Sequence, residues 1–179
     1  IKNFVNKINK IKDIDILINN AGINIIDSIN EIKIKDWKDI QNINLTGPFL
    51  IMNTISKMMI KNQKGNILNI ASIFGSVGKE KRSSYSSSKW GLIGLSKSAS
   101  LDLAKYNIIV NSLSPGVIDS KLTRKILGAN GIKKIKKLIP LGRLSTTKEI
   151  SHIILFLISN KNTYLTGQNV IVDGGYTCG

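Results

Sequence analysis

Four short apolar runs alternate with longer stretches of helical periodicity, and this alternation limits the fold more than any other feature of the chain. The runs are Ile14–Ile18, Gly65–Ser72, Ile108–Leu113 and Gln168–Val172. Short runs of this kind are typical of parallel strands buried on both faces, and intervening helices of about 12 or more residues indicate βαβ units. We therefore predict an α/β fold with a doubly wound parallel sheet of about four strands, in which right-handed crossovers place helices on both faces.

The intervening helices are predicted from apolar spacing and from end signals. They cover approximately residues 37–61, 83–105 and, in part, 120–137. Thr146 and Glu149 match a capping box, which predicts the start of a further helix ending near Ile158. Apolar residues at helical spacing between Ile1 and Ile11 predict one more helix at the beginning of the chain.

Composition excludes several classes of protein. A length of 179 residues favours one domain, and 42% hydrophobic residues is too many for a disordered chain. No apolar run approaches the roughly 20 residues that span a bilayer. Cys178 is the only cysteine and His152 the only histidine, so neither a disulfide framework nor a metal site is expected. We expect a cytoplasmic protein without a membrane partner.

The net charge of +15 comes mainly from lysine, with only three arginines among the 26 cations. Lysine, isoleucine and asparagine share A/T-rich codons, so a biased genome explains this composition without any nucleic-acid partner. Attraction of an anionic substrate, or of an acidic carrier protein that bears the substrate, stays open as an alternative. Its candidate residues are Lys79, Lys81, Arg82 and the run Lys133–Lys137.

Each predicted strand ends in small or polar residues, in the segments Asn19–Gly22, Ser72–Ser76, Ser114–Val117 and Asp173–Gly175. Parallel sheets bind ligands at the carboxyl ends of their strands, and small residues there let a ligand approach the backbone closely. These four segments therefore predict a cofactor cleft.

Several side chains near this edge could carry chemistry. Tyr85 and Lys89 are four residues apart on a predicted helix, so the ammonium could lower the phenol pKa and make Tyr85 a general acid or base. Ser72 ends a strand and could bind a carbonyl oxygen, and Asn44 interrupts a helix. Taken singly, these residues are explained as well by a solvent-facing pair, a turn residue and an exposed filler.

The order and spacing of these residues resemble the short-chain dehydrogenase/reductase family, particularly the branch with the 3-oxoacyl-acyl-carrier-protein reductases. Asn44, Ser72 and Tyr85 stand at the family's intervals of 28 and 13 residues. The other matching motifs are Asn19-Asn20-Ala21-Gly22, Tyr85-Ser86-Ser87-Ser88-Lys89, Ser114-Pro115-Gly116-Val117-Ile118, Pro140-Leu141-Gly142-Arg143, Leu165-Thr166-Gly167-Gln168 and Val172-Asp173-Gly174-Gly175. The resemblance covers nearly all of the chain.

The resemblance implies hydride transfer between NAD or NADP and a small carbonyl or alcohol substrate, with a 3-oxoacyl thioester as one candidate. Tyr85 would be the general acid for reduction and the base for oxidation. Lys89 would lower the Tyr85 pKa and hold the nicotinamide ribose. Ser72 would polarise the substrate oxygen, and Asn44 would hold a water in a proton relay to Lys89.

The resemblance also assigns residues to the cofactor. The adenosine side would be lined by Asn20, Ala21 and Gly22. The nicotinamide end would be contacted by Pro115, Gly116 and Ile118, the last through its backbone amide, and near them by Ser120. The following segment, Lys121–Leu138, would be the substrate lid.

One departure from the family pattern is large. The Gly-rich turn TGxxxGxG and the residue that selects NAD or NADP are both missing from the 179 residues. We therefore expect residues 1–179 to be one N-terminally incomplete domain that keeps only the C-terminal portion of a Rossmann-like sheet and binds dinucleotide weakly. The alternative is an inactive truncated remnant that acts at most as an interaction or structural chain.

The resemblance further implies a homotetramer or homodimer formed through the helix that carries Tyr85 and its neighbour. The small residues on that helix would allow close packing. They are Gly91, Gly94, Ser96, Ser98 and Ala99. The same residues could equally pack within the monomer.

Overall fold

Every strand of the sheet pairs in parallel with the next strand of the chain. The computed structural model describes residues 13–178. Its four strands are β1 (Ile16–Asn19), β2 (Gly65–Ile70), β3 (Ile108–Pro115) and β4 (Asn169–Val172), in the spatial order β1-β2-β3-β4. The predicted α/β fold with a parallel four-stranded sheet is confirmed. The predicted helix between Ile1 and Ile11 lies outside the described residues.

Five α-helices accompany the sheet: α1 (Ile34–Gln41), α2 (Gly47–Asn62), α3 (Ser83–Leu103), α4 (Lys121–Lys136) and α5 (Thr147–Ile158). The capping box predicted at Thr146 and Glu149 is present at the start of α5. None of the helices between residues 13 and 178 is both long enough and apolar enough to cross a membrane.

A π-helical turn, Asn42–Thr46, divides the helix predicted over residues 37–61 into α1 and α2. In this turn the Gly47 N–H donates to the Asn42 carbonyl, five residues earlier. Pro48 has no N–H, so the carbonyl of Asn44, four residues before it, has no α-helical donor. The π-helical turn and Pro48 therefore interrupt the regular α-helical hydrogen bonding around Asn44.

The two faces of the sheet are covered by different helices. On one face, Met52 and Ile55 of α2 and Leu103 of α3 pack against Ile67. On the other face, Ile150 and Leu157 of α5 pack against Leu68 and Leu113. Ile67 and Leu68 are consecutive and fully buried, as expected for a strand whose alternate side chains enter two cores.

The connection from β3 to β4 differs in hand from the two before it. Because strands adjacent in the chain are also adjacent in space, right-handed connections throughout would place all helices on one face. The helices α2 and α3 lie on one face and α5 on the other, so the predicted right-handed crossovers do not hold for all three connections. The third connection is the long segment 116–168, which also carries α4.

Helix α4 has no buried residue and is bent at Gly128, whose φ of 58° and ψ of 179° are not helical. Glycine adopts a positive φ without steric cost, so this position can bend the helix. The basic segment predicted over residues 120–137 is therefore helical on both sides of a bend and lies on the surface.

Candidate active site

Tyr85 and Lys89 lie in the first turns of α3, with the Lys89 ammonium 5.7 Å from the centre of the Tyr85 ring. Lys89 is only 4% exposed, and its Nζ donates to the Ile70 carbonyl at the end of β2 over 2.8 Å. An ammonium has three N–H donors, and this is the one hydrogen bond that Nζ forms within the described part of the chain. Two donors of a buried cation are therefore left for another partner.

Burial dominates the acid–base properties of this pair. It raises the pKa of Tyr85 above its ordinary value, and the Ser72 hydroxyl and the Arg82 guanidinium only partly offset this effect. Burial also lowers the pKa of Lys89 to about 8. Burial thus disfavours the charged forms of both groups, and the role of Lys89 in lowering the Tyr85 pKa stays a prediction.

Asn44 is completely buried in the π-helical turn, and its side chain is fully engaged. Its Nδ2 donates to the Ile23 carbonyl and to the Ser88 Oγ, while its Oδ1 accepts from the Ile23 N–H. Ser88 in turn donates to the Tyr85 carbonyl over 2.7 Å. Asn44 thus joins the loop after β1 to the helix of Tyr85.

Ser72 follows β2 and caps the short 3-10 turn Ile73–Gly75. Its Oγ accepts a hydrogen bond from the Phe74 N–H over 3.2 Å. Accepting this bond leaves the hydroxyl proton of Ser72 free to donate. The side chain is therefore fixed by the turn while it keeps a donor beside Tyr85.

The loop after β1 brings backbone close to the reactive side chains. A Cβ on Gly22 would lie 3.5 Å from Lys89 Nζ and 3.4 Å from Asn44 Oδ1. Asn20 and Ala21 are exposed and line an apolar groove of about 280 Å³ between the end of β1 and the start of α2. The structure therefore brings Gly22 to the Tyr85–Lys89 pair and places Asn20 and Ala21 on an adjoining surface.

The end of β3 forms a second part of the edge. The bridge between Ile118 and Ser145 uses the Val117 carbonyl and the Asp119 N–H, at 3.3 and 2.8 Å, so the N–H of Ile118 is not used in it. Gly116 lies so close to Asp173 that an added Cβ would be 2.8 Å from its Cα. A backbone donor is thus held just beyond β3, whose last residue is the buried Pro115.

Ser120 has a structural role that the sequence did not predict. Its Oγ accepts from the Thr123 N–H over 3.1 Å and caps helix α4. The same hydroxyl lies 3.0 Å from Thr123 Oγ1. A cofactor contact by Ser120 would have to compete with this cap.

A buried polar network beneath the edge was not predicted. Asn19 of β1 donates to Asn69 of β2 over 2.7 Å, and Asn69 donates to Ser96 of α3 over 2.9 Å. These residues connect β1 and β2 to α3. The sequence showed that these residues stand next to recognised motifs. It did not predict their contacts with each other, because those contacts depend on the register of the strands.

The family model described as Enoyl-(Acyl carrier protein) reductase matches residues 1–177. The chain is 42% identical over 166 residues to trans-4-hydroxycyclohexanecarboxylate dehydrogenase of Sinomonas cyclohexanicum, covering 93% of this chain and 61% of that protein. It is 39% identical over 167 residues to the 3-oxoacyl-[acyl-carrier-protein] reductase FabG of Aquifex aeolicus, covering 93% and 67%. The chain thus spans about two thirds of the length of these relatives.

Solved structures of dehydrogenases are also similar to this chain. A 4-hydroxyisoleucine dehydrogenase complexed with NADH superposes with a TM-score of 0.92 at 34% identity, covering 99% of this chain and 74% of that one. A gluconate 5-dehydrogenase from Burkholderia cenocepacia, in complex with NADP and tartrate, superposes with a TM-score of 0.93 at 29% identity, covering 98% and 69%.

Proposed function

This chain belongs to the short-chain dehydrogenase/reductase family, and from that premise we propose that the protein is an NAD(P)-dependent oxidoreductase acting on a small carbonyl or alcohol substrate. The observation that carries the proposal is the juxtaposition of Tyr85 and Lys89 with Ser72, each with a proton or N–H left to donate. We further propose that the described elements form part of a single domain of this family.

The unused donors fit a nicotinamide cofactor. The two remaining N–H groups of Lys89 would hold the ribose hydroxyls, and the Ile118 N–H would hold the carboxamide. Pro115 and Gly116 would line the same end. The adenosine side would be lined by Asn20, Ala21 and Gly22. When bound, the cofactor supplies a hydride to the carbonyl carbon in reduction and accepts it in oxidation.

The protein's own side chains handle the proton. In reduction, Ser72 donates a hydrogen bond to the substrate oxygen, and Tyr85 transfers its proton to that oxygen as the hydride reaches the carbon. The product is the alcohol, and the phenolate then regains a proton. Because burial raises the pKa of Tyr85, the phenol holds its proton at neutral pH and is ready for the reductive direction.

The proton returns to Tyr85 through Lys89. We assign the water of this relay to the backbone carbonyl of Asn44 instead of its side chain, because Ile23 and Ser88 occupy the side-chain amide. Pro48 leaves that carbonyl without an α-helical donor.

Two substrate classes are suggested by the names of the relatives. FabG is named for a 3-oxoacyl group on acyl-carrier protein, whereas the other named dehydrogenases act on hydroxycyclohexanecarboxylate, gluconate and 4-hydroxyisoleucine. The first class presents a neutral thioester near the carbonyl, and the second carries a carboxylate.

A homodimer or homotetramer is part of the proposal. Apolar side chains on α2 and α3 face solvent, with Phe49 46%, Trp90 54% and Leu101 81% exposed. Among the small residues of α3, Gly94 is exposed with nothing within 4 Å of an added Cβ, whereas Ser96 is buried in the monomer. The exposed apolar side chains on α2 and α3 support an interface at which two copies of the chain pack through these helices.

The test is the Tyr85→Phe variant of the purified protein. Removing the phenolic proton should lower kcat by a factor of about 100 or more, while the dissociation constant for NADH or NADPH stays within about twofold. Tyr164→Phe, at a side chain that is 97% exposed, is the matched control. Unchanged turnover in Tyr85→Phe would refute the assigned mechanism, and absence of turnover in the unmodified protein would favour the inactive remnant.

A further inference from the structure

Arg82 differs from the other two arginines of the chain in its partners. Arg124 and Arg143 each form a two-pronged ion pair, with Asp119 and Glu149 respectively. Arg82 makes one side-chain hydrogen bond, from Nη1 to the Asn24 Oδ1 over a long 3.4 Å, and no carboxylate of residues 13–178 lies within ion-pair distance.

The Arg82 guanidinium is also partly removed from water. The residue is half-buried, and burial lowers its pKa from the ordinary value. A partly desolvated cation without an anionic partner costs free energy, which a bound anion would recover. An exposed lysine such as Lys79 on the same loop pays no such cost.

The position of Arg82 links it to the reactive side chains. It immediately precedes α3, and Tyr85 follows three residues later in the first turn. Its hydrogen-bond partner Asn24 lies on the loop after β1, two residues beyond Gly22, which packs beside Lys89 Nζ. The guanidinium therefore bridges the two segments that flank the Tyr85–Lys89 pair.

The same turn holds polar groups without partners. The hydroxyls of Ser83, Ser84 and Ser86 are buried and form no hydrogen bond within the described part of the chain. Ser84 is only 1% exposed. Hydroxyls without a partner and a guanidinium without an anion thus occur within one turn of the sequence, at the start of α3.

Building on the proposed oxidoreductase function, we propose that Arg82 binds a carboxylate of the substrate and so selects a hydroxy acid or oxo acid. One guanidinium, with its planar pair of N–H donors, matches one carboxylate in charge and shape. A 3-oxoacyl thioester has no carboxylate near its reacting carbon and therefore offers the guanidinium no such partner.

The test compares 4-oxocyclohexanecarboxylate with its methyl ester as substrates. We expect the purified protein to prefer the acid by about 30-fold in kcat/KM, the value of one charged hydrogen-bonded pair. Arg82→Gln should bring the acid-to-ester ratio of kcat/KM close to one, and this ratio is the readout because the loss of the guanidinium beside Tyr85 changes the rate for both substrates alike. Arg82→Lys should keep part of the preference, and Lys79→Gln, which removes an exposed charge of the same loop, should keep all of it.

A binding measurement separates this inference from the proposed function. Succinate is titrated by calorimetry into the cofactor-saturated protein and into its Arg82→Gln form, whose folding is checked by circular dichroism. Weaker succinate binding by Arg82→Gln supports the inference, even if the protein turns over no substrate. Absence of turnover would instead count against the proposed oxidoreductase function. The inference would be overturned if both forms bound succinate equally or if the unmodified protein did not bind it. It would also be overturned if the protein used the acid and the ester equally well.

Discussion

Asn44 and Ile23 are joined by two hydrogen bonds of 2.9 Å, one in each direction between the side-chain amide and the backbone. This double contact fixes the loop after β1 against the start of α2. It also explains why Asn is needed, since Asp could accept from the Ile23 N–H but could not donate to its carbonyl. Asn44 is therefore first a structural clamp, and its proposed part in proton transfer falls to its carbonyl.

Replacing Asn44 by Ala should destabilise the protein by about 2–4 kcal/mol, because it leaves the N–H and carbonyl of Ile23 without their side-chain partner and removes the donor to Ser88 Oγ. The free energy of unfolding in urea measures this loss. Asn53→Ala, at an exposed position of α2, should change stability by less than about 0.5 kcal/mol. A loss at Asn44 no larger than that at Asn53 would contradict the clamp.

The hydrogen-bond network of Asn19, Asn69 and Ser96 predicts that the stability costs of single variants are not additive. Asn69→Leu should cost about 2–3 kcal/mol, because it orphans the amide of Asn19 and removes the acceptor role of Ser96. The double variant Asn19→Leu/Asn69→Leu should cost less than the sum of the single variants, since the pair is removed together. Additive costs in urea unfolding would show that the two residues do not interact.

Gly116 and Gly78 form a matched pair for a steric test. An added Cβ on Gly116 would lie 2.8 Å from the Asp173 Cα, a backbone atom that cannot turn away, whereas nothing lies within 4 Å of a Cβ on Gly78. Gly116→Ala should therefore cost about 1–3 kcal/mol and weaken cofactor binding by displacing the neighbouring Ile118. Gly78→Ala should do neither, and thermal unfolding with NADH titration distinguishes the two.

The lowered pKa of Lys89 makes stability depend on pH. The folded protein releases this proton near pH 8, whereas the unfolded chain keeps it until about 10.5, so stability rises with pH between these values. Relative to Lys89→Met, the unfolding free energy should gain about 2 kcal/mol from pH 7 to 9.5.

A difference between the unmodified protein and Lys89→Met that stays constant from pH 7 to 9.5 would contradict this prediction, because it would show that the Lys89 ammonium is solvated in the folded state.

Much of the architecture was predictable because it follows from local patterns. The strands of the sheet, the α5 capping box at Thr146 and the helical positions of Tyr85 and Lys89 depend on periodicity and on neighbours within four residues. The opposite hand of the β3–β4 connection was not predictable, because it depends on which face of the sheet α5 covers.

The features of the candidate site also divide into those that were predictable from the sequence and those that were not. The sequence by itself determined which residues are candidates for the chemistry, since the spacing of Ser72, Tyr85 and Lys89 is a property of the chain. Only the tertiary structure decided their state: burial raised the pKa of Tyr85, and the pairing of Asn44 with Ile23 occupied its side chain. The reason is physical, because desolvation and long-range hydrogen bonds depend on groups that are distant in the chain and meet only in the fold.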